Sequence, residues 1–193
     1  MIKLSTVMAC KWRLMLFLGM LLCLDAQAQR FQLSTNAGTW ARLGTLNAQF
    51  EYGCARNWTV GISGRYNPFT YNRGERNQMQ MRQRSAALGA RWWPWHIFSG
   101  WWLGTDLRWQ EYNVGGLAER PRTEEGWRVG AGLNAGYSYM ISPHFNVEFG
   151  LGFWAGGKKY AVYACPECGR TLESGSKAFL LPDDLIIAFT YVF

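Results

Sequence analysis

The sequence predicts an all-β protein, an eight-stranded antiparallel up-and-down transmembrane β-barrel that follows a cleaved leader. Three observations predict it. Long stretches alternate between large apolar and small or polar side chains. Aromatics are abundant, with eleven Trp, nine Tyr and eleven Phe, yet mean hydropathy is slightly polar at -0.16. The last residues form an apolar, aromatic strand that ends on Phe193.

The alternation is clearest between Trp127 and Ile141. The odd positions there are Trp127, Val129, Ala131, Leu133, Ala135, Tyr137, Tyr139 and Ile141, while the even positions are small or polar. Phe145 to Gly156 repeats the pattern, with Phe145, Val147, Phe149, Leu151 and Phe153 on one face and Gly150, Gly152 and Gly156 on the other. A period of two places successive side chains on opposite sheet faces. Glycines on the inner face of a narrow barrel relieve crowding, and large outward residues suit lipid.

Applied along the chain, the rule gives eight segments, at 30–40, 45–54, 57–67, 78–93, 100–112, 127–141, 144–157 and 178–193. The connections after the second, fourth and sixth are short. Those at 68–77, 113–126 and 158–177 are longer. Short turns on the periplasmic side and long outer loops are the habit of such barrels, which places both termini in the periplasm. Aromatics gather at both strand ends, with Tyr52, Trp58, Trp92 and Trp101 at one and Trp40, Tyr66, Trp109 and Trp127 at the other, as membrane interfaces favour.

Residues 1–28 read as a signal peptide and 29–193 as the barrel. Lys3, Lys11 and Arg13 are basic, Leu14 to Leu24 is apolar, and Ala26-Gln27-Ala28 offers a small-x-small cleavage site. The apolar run is too short for a spanning helix, which needs ~20 residues. Phe189, Tyr191 and Phe193 share one face of the terminal strand and read as the signal for the barrel-assembly machinery.

The whole chain carries a net charge of +7, and the four leader charges Lys3, Lys11, Arg13 and Asp25 account for +2 of it. The basic residues are dispersed along strands rather than clustered, which argues against nucleic acid as a partner. The inward face carries Glu51, Arg65, Arg91, Asp106, Arg108, Arg128 and Glu148. Three acids and four arginines can close a salt-bridge network that fills an eight-stranded interior and blocks a solute channel. Arg82 and Arg84 fall on the outward face near the outer rim, where arginine pairs with lipopolysaccharide phosphates.

Five cysteines become three once the leader is removed, namely Cys54, Cys165 and Cys168. Cys165-Pro166-Glu167-Cys168 sits in the last outer loop. Zinc needs about four ligands. The two histidines, His96 and His144, map to turns at the opposite end, so a disulfide between Cys165 and Cys168 is the expectation in an oxidising compartment. Cys54 is expected as a free thiol. No catalytic, cofactor-binding or metal-binding residues are assigned.

The chain resembles a family of small outer-membrane β-barrels from Bacteroidetes, catalogued as a domain of unknown function. The resemblance rests on Tyr66-Asn67-Pro68-Phe69, Trp92-Trp93, Tyr112-Asn113, Val147 to Gly152, Tyr160, Tyr163, Cys165-x-x-Cys168-Gly169 and the terminal strand. Pro182-Asp183-Asp184 departs from it, since a small residue and a lysine are expected after the proline. The resemblance implies the barrel and its location in the bacterial outer membrane. It also implies a link of some members to surface fimbriae or adhesion.

The functional expectation is a non-enzymatic surface barrel for envelope structure or adhesion. Its partners would be outer-membrane lipids, lipopolysaccharide and possible fimbrial proteins. The competing classes are an outer-membrane lipid-modifying enzyme and a small-solute pore. An enzyme would need a base within hydrogen-bond reach of its nucleophile near the outer leaflet, where neither histidine falls.

Overall fold

The computed structural model describes residues 29–74, 78–116, 122–164, 169–183 and 185–193. The contacts divide the chain into two units, one of Phe31–Val192 and one of Met1–Arg30 with Phe193. In the second, the Arg30 amide donates to the Phe193 carbonyl at 3.2 Å.

The first unit is all-β apart from one helical turn. Its elements are β1 (Phe31–Asn36), α1 (Ala37–Trp40), β2 (Leu46–Ala55), β3 (Trp58–Asn67), β4 (Thr70–Tyr71) and β5 (Met79–Trp92). They continue with β6 (Gly100–Gly115), β7 (Thr123–Ser142), β8 (Phe145–Tyr163), β9 (Thr171–Pro182) and β10 (Ile186–Val192). The antiparallel order β10-β1-β2-β3-β5-β6-β7-β8 closes on itself, because β10 also pairs with β8. The result is a ring of eight strands, with β4 beside β5 and β9 beside the far half of β8.

The expected segments match the eight ring strands, with three corrections. The first segment ends at Asn36 rather than at residue 40. The Asn36 side chain accepts the Gly38 amide at 2.9 Å and caps α1, as short polar side chains do at helix starts. Gly38 there lies so close to Leu185 that a Cβ would sit 2.0 Å from its carbonyl oxygen. Second, the loops expected at 113–126 and 158–177 are mostly strand. β6 runs to Gly115, β7 starts at Thr123, and β8 and β9 form a hairpin reaching Tyr163 and Thr171. Third, the last segment is broken between β9 and β10, where the Asp183 amide donates to the Gly152 carbonyl at 2.8 Å.

Side-chain placement is inverted relative to a water-soluble domain. Gln32, Glu51, Thr59, Glu148 and Thr190 are buried, while Leu107, Leu133 and Leu151 are more than 60% exposed. The alternation read from the sequence therefore holds, with polar residues inside. Inward glycines make this possible at two places. Trp102 lies opposite Gly136 and Gly150 across the sheet, and a Cβ at Gly136 would meet the Trp102 ring at 2.5 Å. A Cβ at Gly132 would meet Asp106 at 2.4 Å.

A buried apolar cluster closes the ring at one end, while Tyr112 and Trp154 are buried toward the other. Trp93, Ile97, Phe98, Trp102 and Val192 pack together beneath the turn 93–99. The Trp93 amide donates to the Asn57 carbonyl at 2.9 Å. The Phe98 carbonyl accepts from Asn146 at 2.7 Å and from Ser138 at 3.2 Å. Phe98 and Gly100 hold positive φ values of 64° and 79°, the left-handed conformation that folds this turn inward. The sequence treats 94–99 as a plain short turn, so its role as a plug is a structural finding. At the other end β5, β6, β7, β8 and β9 project past the ring as one sheet, with β4 beside β5.

Candidate functional site

Three layers of charge fill the ring between the plug and the projecting sheet. Nearest the plug, Arg91 Nη1 lies 2.9 Å from both Glu51 Oε1 and Glu148 Oε2. Its guanidinium stacks over Trp102 at 4.1 Å. Because one cation serves two carboxylates, neutral donors complete the shell. Thr59 donates to Glu51 at 2.8 Å, Gln49 donates to Glu51 at 2.6 Å, and Gln32 donates to Glu148 at 2.8 Å. Buried charges survive only when paired and hydrogen-bonded in this way.

The second layer joins Arg65, Asp106, Arg108 and Asp183. Arg108 grips Asp183 with two parallel bonds of 2.8 and 2.7 Å, the bidentate geometry that gives arginine its hold on carboxylates. Arg65 reaches Asp183 at 3.1 Å and Arg108 reaches Asp106 at 3.1 Å. Asn134 donates to Asp106 at 3.1 Å. Between the two layers lies a cavity of about 80 Å³ lined by Glu51, Arg65, Arg91, Asp106, Arg108 and Asp183. It is polar and large enough for several waters.

The third layer departs from expectation. Arg128 lies apart from both ion clusters and stacks on Tyr112 at 3.8 Å, with Trp154 at 5.7 Å and Phe179 at 5.8 Å. Beyond it Glu124 accepts from Tyr112 at 2.6 Å and pairs with Lys158. Burial alone would raise the Glu124 carboxyl. The bonds from Lys158 and Tyr112, with the charges of Lys158 and Arg128, outweigh it and hold the group below its ordinary value.

Six of the seven sequence-predicted network residues therefore meet, in two clusters, and Asp183 is the member that sequence reading missed. The signal was present: Asp183 is where the chain departs from the pattern of the family it resembles. It brings the interior to four acids, Glu51, Asp106, Glu148 and Asp183, against four arginines. The break between β9 and β10 turns this side chain inward.

The other singled-out residues lie elsewhere. Arg82 and Arg84 are exposed on the outer face of β5. Arg84 pairs with Glu111 and lies 5.8 Å above Trp109, so it is not a bare cation. Phe189 and Tyr191 face outward on β10, at 42% and 51% exposure. Phe193 follows that strand. His96 and His144 sit in the turns at the plug end, and their Nδ1 atoms bond the carbonyls of Ile97 and Val192, each at 3.0 Å. Cys54 is an exposed free thiol 3.4 Å from the Trp58 carbonyl. Cys165 and Cys168 lie outside the described residues. Among the described residues no group of three or more His, Cys, Asp or Glu is placed to hold a metal ion.

A closed antiparallel ring with an ion-paired interior and an apolar exterior defines the class of protein. The chain belongs to the family described as "Protein of unknown function (DUF3575)", whose model matches residues 14–193. Comparison with curated proteins gives no match.

Proposed function

We propose that the ring is a membrane-spanning β-barrel of the bacterial outer membrane, and that it acts without catalysis as a surface protein for envelope structure or adhesion. One observation carries the first part. The interior buries Glu51, Arg91 and Glu148 while Leu107, Leu133, Leu151 and Leu180 stand outside at 63–72% exposure. An exterior so apolar is unstable in water but matches the lipid-facing band of a barrel. Exposed Tyr52, Trp58, Trp92 and Trp101 border it at the plug end, and Tyr66, Trp109 and Trp127 at the other. On this reading the plug faces the periplasm. Phe189, Tyr191 and Phe193 then engage the assembly machinery, and a disulfide between Cys165 and Cys168 stiffens the outermost loop.

The projecting sheet supports the adhesive part. β9 pairs with β8 on one side only, and Thr171 to Ala178 are exposed throughout. Such an edge offers a row of backbone donors and acceptors to an extended segment of a partner, including a fimbrial protein. The pore and enzyme readings find less support. The plug and both ion layers occupy the interior, and both histidines are bonded to backbone at the plug end.

The test has two parts. Fractionation should recover the protein in the outer membrane with heat-modifiable gel mobility, and recovery in the soluble periplasm sinks the reading. Photo-crosslinkers at Ser174 and Ser176 should then capture a surface protein. Release of acyl chains from added lipid by the purified protein would overturn the non-catalytic part.

A further inference from the structure

Three outward rows on the far half of β2, β3 and β5 follow from the strand register. Leu46, Tyr66 and Arg84 are direct cross-strand partners, and so are Ala48, Gly64 and Ala86 in the next row and Phe50, Ile62 and Leu88 in the third. Large exposed side chains therefore stand on both sides of a floor of Ala, Gly and Ala. Trp109, the partner of Ala86, closes one end of this groove. Trp109 stands at the Ala86 end, and Arg84 belongs to the flanking row beside it.

Gly64 has no role in the fold that demands glycine. A Cβ there would meet nothing closer than 3.9 Å, whereas Gly61 and Gly89 in neighbouring rows would clash at 2.6 and 2.9 Å. Glycine in a strand interior is less favourable than alanine. Glycine inside a strand marks a bulge, a tight bend or a close approach to the backbone, and the register of β3 runs past Gly64 without a shift on either side.

The rim above the groove carries matching charge. Arg82 and Arg84 lie on one face of β5, and Lys159 lies three strands away along the row Arg84-Glu111-Trp127-Lys159. At ~4.8 Å per strand that separation is roughly 14 Å. Between the cations stand the Glu111 carboxylate and the Trp127 ring, over which Lys159 Nζ sits at 5.6 Å. Glu111 is ion-paired with Arg84, and Glu125 in the row of Arg82 accepts from Asn113 and Tyr163. Arg82 and Lys159 are the cations that flank this aromatic, hydrogen-bonding stretch, and they suit a headgroup with two anionic ends and a hydroxyl-bearing body between them. A lipid with a single phosphate would engage only one end.

We propose that this face binds a doubly phosphorylated, acylated sugar lipid of the outer leaflet. Arg82, beside the Arg84–Glu111 pair, takes one phosphate, Lys159 takes the other, and an acyl chain lies on the Ala48-Gly64-Ala86 floor. The inference rests on the membrane reading above and deepens it by naming the lipid and its site.

The experiment titrates the purified full-length protein in detergent, by native mass spectrometry, with three probes. These are a bis-phosphorylated acylated glucosamine disaccharide, its dephosphorylated form and phosphatidylglycerol. The first should be retained as one bound lipid, at least about tenfold more tightly than the others. Arg82→Gln with Lys159→Gln should abolish that preference. Gly64→Leu should weaken the first probe at least about fivefold while heat-modifiable mobility stays unchanged, because a Cβ there meets nothing closer than 3.9 Å and the side chain extends over the floor. Equal retention of phosphorylated and dephosphorylated lipid, equal retention of phosphatidylglycerol, or a Gly64→Leu variant that binds like the parent each overturns the site. Those outcomes in a protein that still shows heat-modifiable mobility leave the membrane reading intact. Soluble fractionation removes that reading independently.

Discussion

The plug half of the ring and the projecting sheet are built from the same strands, yet different contacts hold them. Near the plug every ring strand is paired on both sides, one face is apolar, and the other closes over Glu51, Arg91 and Glu148. In the projecting sheet β9 is paired on one side, and its residues from Thr171 to Ala178 are exposed. Polar contacts there lie nearer solvent, such as Tyr163 donating to Glu125 at 2.8 Å and Tyr160 donating to Glu173. The difference separates rigidity from reach. Buried charge, fully bonded, ties five strands to one another across the interior, whereas exposed pairs add little and leave an edge free to meet a partner.

The sharpest way to break this distinction is to remove the central cation. Arg91→Met leaves Glu51 and Glu148 buried without their counter-charge and should destabilise the folded form by about 3–5 kcal/mol. Arg84→Gln removes an exposed pair, at 64% and 40% side-chain exposure, and should leave the midpoint nearly unchanged. Urea midpoints of the folded gel band measure both. Equal losses for the two variants would erase the contrast between interior and rim. Trp93→Ala probes the plug itself. Its indole is fully buried, donates to Thr59 at 3.1 Å and packs 6.4 Å from Trp102. Its removal should cost about 3–5 kcal/mol in the same assay.

Asp183→Asn sharpens the comparison at the boundary between the regions. The amide keeps the shape but loses the charge that Arg108 and Arg65 share. A loss of about 1.5–3 kcal/mol is expected, the range for hydrogen bonds to charged groups. Hydrogen exchange should rise first at β9 and β10, where Asp183 joins the two strands to the interior. Exchange confined to β1 and β2 would mean that Asp183 does not anchor this junction.

The two regions also differ in how far the sequence reveals them. In the ring one face is apolar and the other is polar or small, so a period of two marks each strand, and six of the seven network residues are legible from alternation alone. The signal fades where both faces are wet. Lys158, Lys159, Tyr160, Ala161 and Val162 show no apolar alternation, and neither do Glu173 to Lys177. Both stretches therefore read as loop although they form a hairpin. The plug escapes for another reason. Ile97 and Phe98 are buried by a turn with left-handed backbone at a non-glycine residue, which carries no periodic signature. Asn67 is a motif residue whose role appears only in three dimensions, where its side chain donates to the Leu43 carbonyl at 3.1 Å and to Thr45 at 2.9 Å and pins the loop after α1. Asp183 needed the break in the final strand, which Pro182 hints at without showing which way the side chain turns.

The smallest effect expected is a pH dependence in the projecting sheet. Burial pushes the Glu124 carboxyl up, but bonds from Lys158 and Tyr112 and the charges of Lys158 and Arg128 bring it below its ordinary 4.5. A carboxyl depressed in the folded state contributes stability that is full above the ordinary value and is lost as pH falls through the folded one. Tyr160 and Tyr163 behave oppositely. Glu173 and Glu125 accept their hydroxyl protons and raise them above the ordinary 10.0, so their contribution is present below that pH and fades as pH rises through the folded value. Protection of amides in 123–130 and 156–163 should therefore be level through the neutral range and fall below pH 4.5. Glu124→Gln should remove the acid limb and leave the alkaline one. An acid loss that persists in Glu124→Gln would show that the sheet and the ring answer to the same charges and that the two halves are not held separately.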